Sequence, residues 1–351
     1  MSCRAHSVPV ASRPVIDLPE ILAREFGLAV TAIEANDGGI DRSAQRFRVR
    51  AAQPHGDPRW FAVKWSSGGS IAGLRTPAAL SEVPINGVPG PLPARDRRPW
   101  ADVPSDGEPR RLSVVPWVGN RQAIDGGLNE TQWRAFGRLL AGVHAYRVPA
   151  ELRAVLPPMS HDREIAAVNR TDDLVENDRA GVDRDVAALW RSHRDRLMSA
   201  ADAVPTLGGG IEPNVLCHAD PHLGNLLADD RDATDGSVWL VDWDDAVLAT
   251  PELDLMFVLG ATYGSEHIGE AERTWFATGY LASESANGDD LRRAADPERL
   301  RYYRAVRALI DVADLAAEAL VPQTEPGWRA VAARLVAENL ARDGLLALAG
   351  L

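Results

Sequence analysis

Two short apolar runs, Val215-Leu216-Cys217 and Val238-Trp239-Leu240-Val241, flank the string His218-Ala219-Asp220-Pro221-His222-Leu223-Gly224-Asn225, and the second run closes on Asp242-Trp243. Apolar runs this short, bounded by turn residues, read as buried strands. Asp220 then lies just past a strand end, on a loop carried by a rigid scaffold. Asn225 follows in the same loop, and Gly224 permits the turn that presents its amide oxygen. Asp242, ending a strand of the next hairpin, faces the same point from the other side. A carboxylate able to reach a hydroxyl, beside two hard oxygen ligands suited to Mg2+, is what phosphoryl transfer requires. The same letters admit two other readings. His218, Asp220 and His222 form a His-x-Asp-x-His string of the kind metallohydrolases use, or the string is a chance occurrence on a solvated loop. No second His/Cys cluster with metal-ligand spacing accompanies it. His218 therefore reads as an anchor of the loop and His222 as a surface residue.

The organisation of the chain agrees with a two-part architecture. At 351 residues and 45% hydrophobic, it is long enough for two lobes. Residues 1–15 read as a disordered tail without the apolar centre of a signal peptide. Residues 16–118 are strand-rich. Asp17 caps a short helix with Pro19 in its first turn and Gly27 at its end. Arg46 to Ala51 and Trp60 to Trp65 alternate as antiparallel strands, Ala72 to Val83 form a helix, and Leu112 to Val118 a last strand. Residues 119–351 are mainly helical. Asn129-Glu130-Thr131-Gln132 resembles a capping box opening a helix through His144. Further helices are expected over Arg179 to Val204, Pro297 to Ala319 and Trp328 to Leu348. A strand-rich part followed by a helical one is an α+β pattern with a boundary near Gly119.

Charge and cysteine usage narrow the partners. Thirty-eight basic against fifty acidic residues leave a net charge of −12. That balance disfavours nucleic acid and anionic membranes and suits a cationic small molecule. No apolar run approaches the roughly 20 residues of a membrane span. Two cysteines, Cys3 and Cys217, make no disulfide framework, so a cytoplasmic protein is expected. Lys64, inside the apolar run Phe61-Ala62-Val63-Lys64-Trp65, should seek an anion; the alternative is a lysine snorkelling to solvent from an edge strand. Carboxylates suited to a cationic substrate are Asp244, Asp245 and Glu252. Asp254 reads as a helix cap. Asp311, Asp314 and Glu318 share one helical face, either lining a pocket or facing solvent. Trp275, Tyr280, Tyr302 and Tyr303 fit core packing better than sugar stacking.

At these residues a family resemblance becomes specific. His218 to Leu227, with Val238 to Val258, resemble the catalytic core of the aminoglycoside phosphotransferases. Asp242-Trp243-Asp244-Asp245, running into Pro251 to Phe257, is most similar to the spectinomycin phosphotransferase branch. Weaker matches are Arg59 to Lys64, Leu112 to Gly119, Leu128 to His144 and Arg301 to Leu320. The resemblance implies a protein-kinase-like fold, with ATP or GTP bound between lobes, Mg2+, and a hydroxyl of a cationic aminocyclitol as acceptor. It implies that Asp220 is the catalytic base, that Asn225 and Asp242 hold Mg2+, and that Lys64 contacts the α- and β-phosphates. Gly39, in Gly38-Gly39-Ile40-Asp41-Arg42-Ser43, would cover the phosphates through backbone N–H groups, although the repeated glycine spacing is lacking. The purine edge would meet the segment Val114 to Val118; Pro116 has no N–H, so Trp117 or Val118 must donate. Glu82 is the acidic residue available in Ile71 to Val83 to pair with Lys64, but it precedes Pro84, where a helix frays, and a solvated Glu82 is an equal alternative. Asp245, Glu252 and Asp311 are the candidate substrate ligands. A metabolic kinase for choline, an amino alcohol or a sugar, and a nucleotide-binding pseudoenzyme, remain open.

Overall fold

The computed structural model describes residues 17–35, 44–52, 57–67, 69–103, 110–119, 121–177, 183–229, 236–260, 268–321, 324, 326–342 and 344–351. The tail 1–15 and Gly39 with its neighbouring loop lie outside the described residues. The chain divides into two units, Met1–Ser70 with Gly90–Trp117, and Ile71–Pro89 with Val118–Leu351. Residues 71–89, expected in the first part, thus fold with the second.

The first unit opens on α1 (Leu18–Phe26), where the Asp17 carboxylate accepts the Glu20 N–H at 3.1 Å and Gly27 ends the helix at φ 67°. β1 (Ala29–Ala35), β2 (Ala44–Ala52), β3 (Arg59–Ser66), β4 (Ala101–Val103) and β5 (Arg110–Pro116) form an antiparallel sheet in the order β1-β2-β3-β5-β4. Side chains alternate between its faces. Val49, Phe61, Val63, Trp65, Leu112 and Val114 bury one face against Leu18, Ile21 and Leu22 of α1. The other face carries Arg46, Arg48 and Arg50, opposite Lys64, Ala62 and Trp60 in register. β3 lies between β2 and β5. Lys64 is therefore on an interior strand, and the edge-strand alternative falls.

The second unit begins with α2 (Ile71–Ser81). Glu82 lies just past its end and is exposed. Then come β6 (Arg121–Gln122), α3 (Glu130–Ala145), α4 (Ala150–Arg153), α5 (Asp162–Glu176) and α6 (Arg184–Leu207). Both bonds of the capping box at Asn129 are made, 2.9 Å from the Gln132 N–H and 3.0 Å from the Asn129 N–H. β7 (Val215–Cys217), β8 (Leu226–Ala228), β9 (Val238–Leu240) and β10 (Val247–Ala249) pair as two small antiparallel sheets, β7 with β10 and β8 between β6 and β9. α7 (Glu252–Val258), α8 (Glu270–Tyr280), α9 (Gly288–Ala294), α10 (Pro297–Leu320), α11 (Pro326–Leu340) and α12 (Leu345–Leu348) complete the chain. α10 is the spine, packing against α5, α6, α7, α11 and α12. The single helix expected over Trp328 to Leu348 is two, because the chain turns back at Gly344 against the carbonyls of Glu338 and Asn339. α2 rests on the turn Trp243–Asp245: a Cβ at Gly73 would stand 2.7 Å from the Asp244 Cα.

Candidate active site

The loop between β7 and β8 bends at Ala219, whose φ of 71° is left-handed. A side chain in that region costs of order 1–3 kcal/mol and persists where its surroundings dictate it. Here Asp254 does so. Its carboxylate, fully buried on α7, accepts the N–H of His218 at 2.9 Å and of Ala219 at 2.7 Å. It also meets His144 Nε2 at 3.0 Å, while His144 Nδ1 lies 2.8 Å from the Tyr280 hydroxyl. Asp254 is not the helix cap expected of it; it ties down the loop. His218 is buried too. Its Nδ1 accepts the Asp220 N–H at 3.2 Å, its Nε2 donates to the Val241 carbonyl at 3.0 Å, and its ring packs edge-on to Trp243. With both nitrogens engaged inside the protein, His218 has no atom left for a metal, and the metallohydrolase reading fails. His222 is not a plain surface residue: its Nδ1 accepts the Gly224 N–H at 3.0 Å and its Nε2 lies 3.5 Å from Asp220 Oδ2.

Val241 is stapled from both sides, since its N–H donates to the Asn225 carbonyl at 3.0 Å. The next residue, Asp242, takes a left-handed φ of 65° and is exposed. The staple brings Asp242 and Asn225 onto adjoining backbone. The Asn225 amide nitrogen donates to the Asp220 carbonyl at 2.9 Å and to Asp220 Oδ2 at 3.1 Å, which turns its own Oδ1 the other way. An amide oxygen and a carboxylate are hard donors of the kind Mg2+ takes, so the set fits that ion. A second group of metal-ligating type, His144, Cys217 and Asp254, is bonded internally, with the Cys217 thiol 3.4 Å from the Thr250 carbonyl.

Asp220 Oδ1 accepts from Arg307 Nη1 at 2.8 Å, and Arg307 Nε donates to Asp311 Oδ2 at 2.7 Å. Burial by itself would raise the Asp220 pKa. The Arg307 charge and the neighbouring His222 outweigh it and hold the carboxyl well below the usual carboxylate range. Asp245 keeps a solvent-exposed side chain. The protein around it and the charges of Asp220 and Asp242 nevertheless push its pKa up, against the pull of Arg307.

The structure thus gathers Asp220, Asn225, Asp242 and Asp245, and brings in Asp311 through Arg307. It does not bring in Glu252. That carboxylate is buried and spent on the Thr250 hydroxyl and the Asp296 N–H, so it is no substrate ligand. Nor is the Trp117 N–H available to a purine, because it donates to the Trp60 carbonyl at 3.0 Å; Val118 remains. Lys64 is half-buried on the arginine-bearing sheet face. Tyr302 and Tyr303 are core residues, the Tyr303 hydroxyl accepting the Thr250 N–H at 3.1 Å and Tyr302 meeting His161, and Tyr280 is partly buried against His144. Arg307 escaped the sequence reading, in which Asp254 is a helix cap and not the anchor of the loop. The available signal for Arg307 was its place one turn before Asp311 in an otherwise apolar stretch of helix.

Residues 78–303 match the profile of the phosphotransferase enzyme family. The fold is similar to that of spectinomycin phosphotransferase in complex with ADP and spectinomycin, with a TM-score of 0.74 and 19% identity over 96% of this chain and 98% of that one. It is also similar to a microcompartment-associated aminopropanol kinase, with a TM-score of 0.60 and 19% identity over 95% of both chains. An ethanolamine kinase from Plasmodium vivax gives a TM-score of 0.57 and 11% identity over 90% of this chain and 83% of that one. Identities this low speak to the fold, which is the α+β, kinase-like one. No curated protein matches significantly in sequence. Among the described residues no helix is long and apolar enough to cross a membrane. The family profile spans well over half of the sequence and contains the whole Asp220 loop, and the chain belongs to the phosphotransferase enzyme family.

Proposed function

We propose that this phosphotransferase is a cytoplasmic small-molecule kinase that moves the γ-phosphate of ATP or GTP to a hydroxyl of an aminocyclitol, with a spectinomycin-like acceptor and resistance to that antibiotic as the outcome. The carrying observation is the Asp220 carboxylate, fixed at Oδ1 by Arg307 and at Oδ2 by Asn225, on a loop stapled to the residue before Asp242. Asp220 accepts a hydrogen bond from the acceptor hydroxyl, aims its oxygen at the phosphorus and takes the proton as the bond forms. Asn225 and Asp242 would hold Mg2+, which when bound neutralises charge on the phosphate oxygens. Lys64 would contact the α- and β-phosphates, with Arg46 opposite it in register adding positive charge to the same sheet face. Asp245 offers an accessible carboxylate to a substrate ammonium.

Of the three carboxylates expected for the acceptor, Asp245 is the exposed one, whereas Glu252 and Asp311 are engaged internally. One exposed carboxylate suits an acceptor with a single ammonium, so an amino alcohol is the second reading. The test is nucleotide turnover with Mg2+ and ATP or GTP over spectinomycin, other aminoglycosides, choline and short amino alcohols. Turnover with spectinomycin supports the first reading and turnover with amino alcohols alone the second. Nucleotide binding without turnover on any of them would sink both.

A further inference from the structure

We infer that Arg307 is the positioning residue of Asp220, and that Asp311 serves the reaction by holding Arg307 rather than by touching the acceptor. The inference rests on the reading of Asp220 as the group that meets the acceptor hydroxyl. The terminal torsion of an aspartate is broad and soft, so a carboxylate on a loop needs outside help to keep one plane. Three contacts bear on that plane here, Arg307 Nη1 on Oδ1 at 2.8 Å and, on Oδ2, Asn225 Nδ2 at 3.1 Å and His222 Nε2 at 3.5 Å. Asn225 and His222 belong to the same loop and move with it. Arg307 does not: it projects from α10, the 24-residue spine of the unit.

Arg307 is itself fixed. Its side chain is 17% exposed, its Nε is bonded to Asp311, and its guanidinium lies 5.3 Å from the centroid of the buried Phe257 ring. Bridging two carboxylates in one plane is what the rigid guanidinium fork does and a lysine ammonium does less well. A carboxylate oxygen accepts about two hydrogen bonds, so Oδ1 can keep Arg307 while the acceptor hydroxyl arrives. The bridge is then a permanent part of the site and not a plug to be expelled.

Kinetics of Arg307→Met, Arg307→Lys and Asp311→Asn, each alone and in an Asp220→Ala background, test this. Misplacing a reacting group by an ångström costs on the order of 10²-fold. Arg307→Met should therefore lose about that in kcat with KM for acceptor and nucleotide nearly unchanged. Arg307→Lys should recover part of it, and Asp311→Asn should lose less. In the Asp220→Ala background none of these changes should lower kcat further. A loss confined to acceptor KM, near-normal kcat in Arg307→Met, or full additivity with Asp220→Ala would overturn the inference. Crystal structures of wild type and Arg307→Met add a readout free of turnover, in which the Asp220 carboxylate should rotate out of its plane. An unmoved Asp220 would overturn the inference even if no acceptor were known. A wild-type protein that turns over no acceptor speaks against the functional reading alone. If Arg307→Met does not fold, Arg307→Lys carries both readouts.

Discussion

Single residues in this site are fixed by partners far away in the chain. Asp254 bonds the N–H groups of residues 35 and 36 positions earlier. No local pattern announces such a bond, which is why a carboxylate near a helix start reads as a cap. Leaving a buried N–H unpaired costs about 1–3 kcal/mol. Asp254→Ala strands two, so urea unfolding should show a loss of at least about 2 kcal/mol, with Asp254→Asn losing less because one acceptor oxygen remains. Asp220→Ala belongs to a different class. It should leave nucleotide binding intact by calorimetry while turnover falls roughly 10²–10⁴-fold, the usual contribution of a positioned base. Asp220 and Asn225 could be picked out together because they share one short loop, with Asp242 just after the following hairpin. Arg307 could not, because its partner Asp220 lies 87 residues away.

Elements were legible where their ends carry their own chemistry. The Asp17 cap and the Asn129 capping box are local, and both form as read. α5 gives no such signal: its buried Ala167, Val168, Thr171 and Val175 are small and spaced among charged residues. α2 shows how an element can be found and still misassigned, since its pattern marks a helix without saying what it packs on. Its partner is the Trp243–Asp245 turn, met through Gly73. Gly73→Val puts a side chain into the Asp244 backbone, where nothing flexible can yield. Overpacking of this kind costs typically 1–3 kcal/mol. The expected outcome is a lower melting temperature and weaker Mg2+-dependent nucleotide binding by calorimetry, because the displaced turn directly follows Asp242.

For the molecule as a whole, two sets of carboxylates pull stability in opposite directions with pH. Burial disfavours ionised Asp172, but Arg194, at 2.8 and 2.7 Å, and the Trp190 indole outweigh it and lower its pKa. Such a group adds stability above the ordinary aspartate range and loses it as pH falls through that range and below. Glu164 and Asp314 are raised, chiefly by burial. They add stability below their ordinary values and lose it as pH rises through the raised ones. Acidification from neutral should thus stabilise the fold at first, as these groups take up protons and the charge of −12 shrinks. Below roughly pH 4, where ordinary aspartates titrate, Asp172 and Asp220 give up their share and stability falls. Unfolding free energy measured against pH should peak on the acid side of neutral. Glu164→Gln should raise stability at pH 7 and flatten the acid-side rise; a variant no more stable than wild type there would remove Glu164 from this account.

The position of Cys217 has a practical consequence. It is the last residue of β7, wholly shielded, with a thiol that burial pushes well above its usual pKa. The Asp220 loop starts at the next residue. A thiol-reactive dye can reach Cys217 only when the packing around β7, against β10 and α3, opens. A Cys3→Ser protein would carry this thiol alone, and its labelling rate would clock the opening of the scaffold beneath the Asp220 loop. Ligands that tighten the loop would slow that clock, whether or not they are ever phosphorylated.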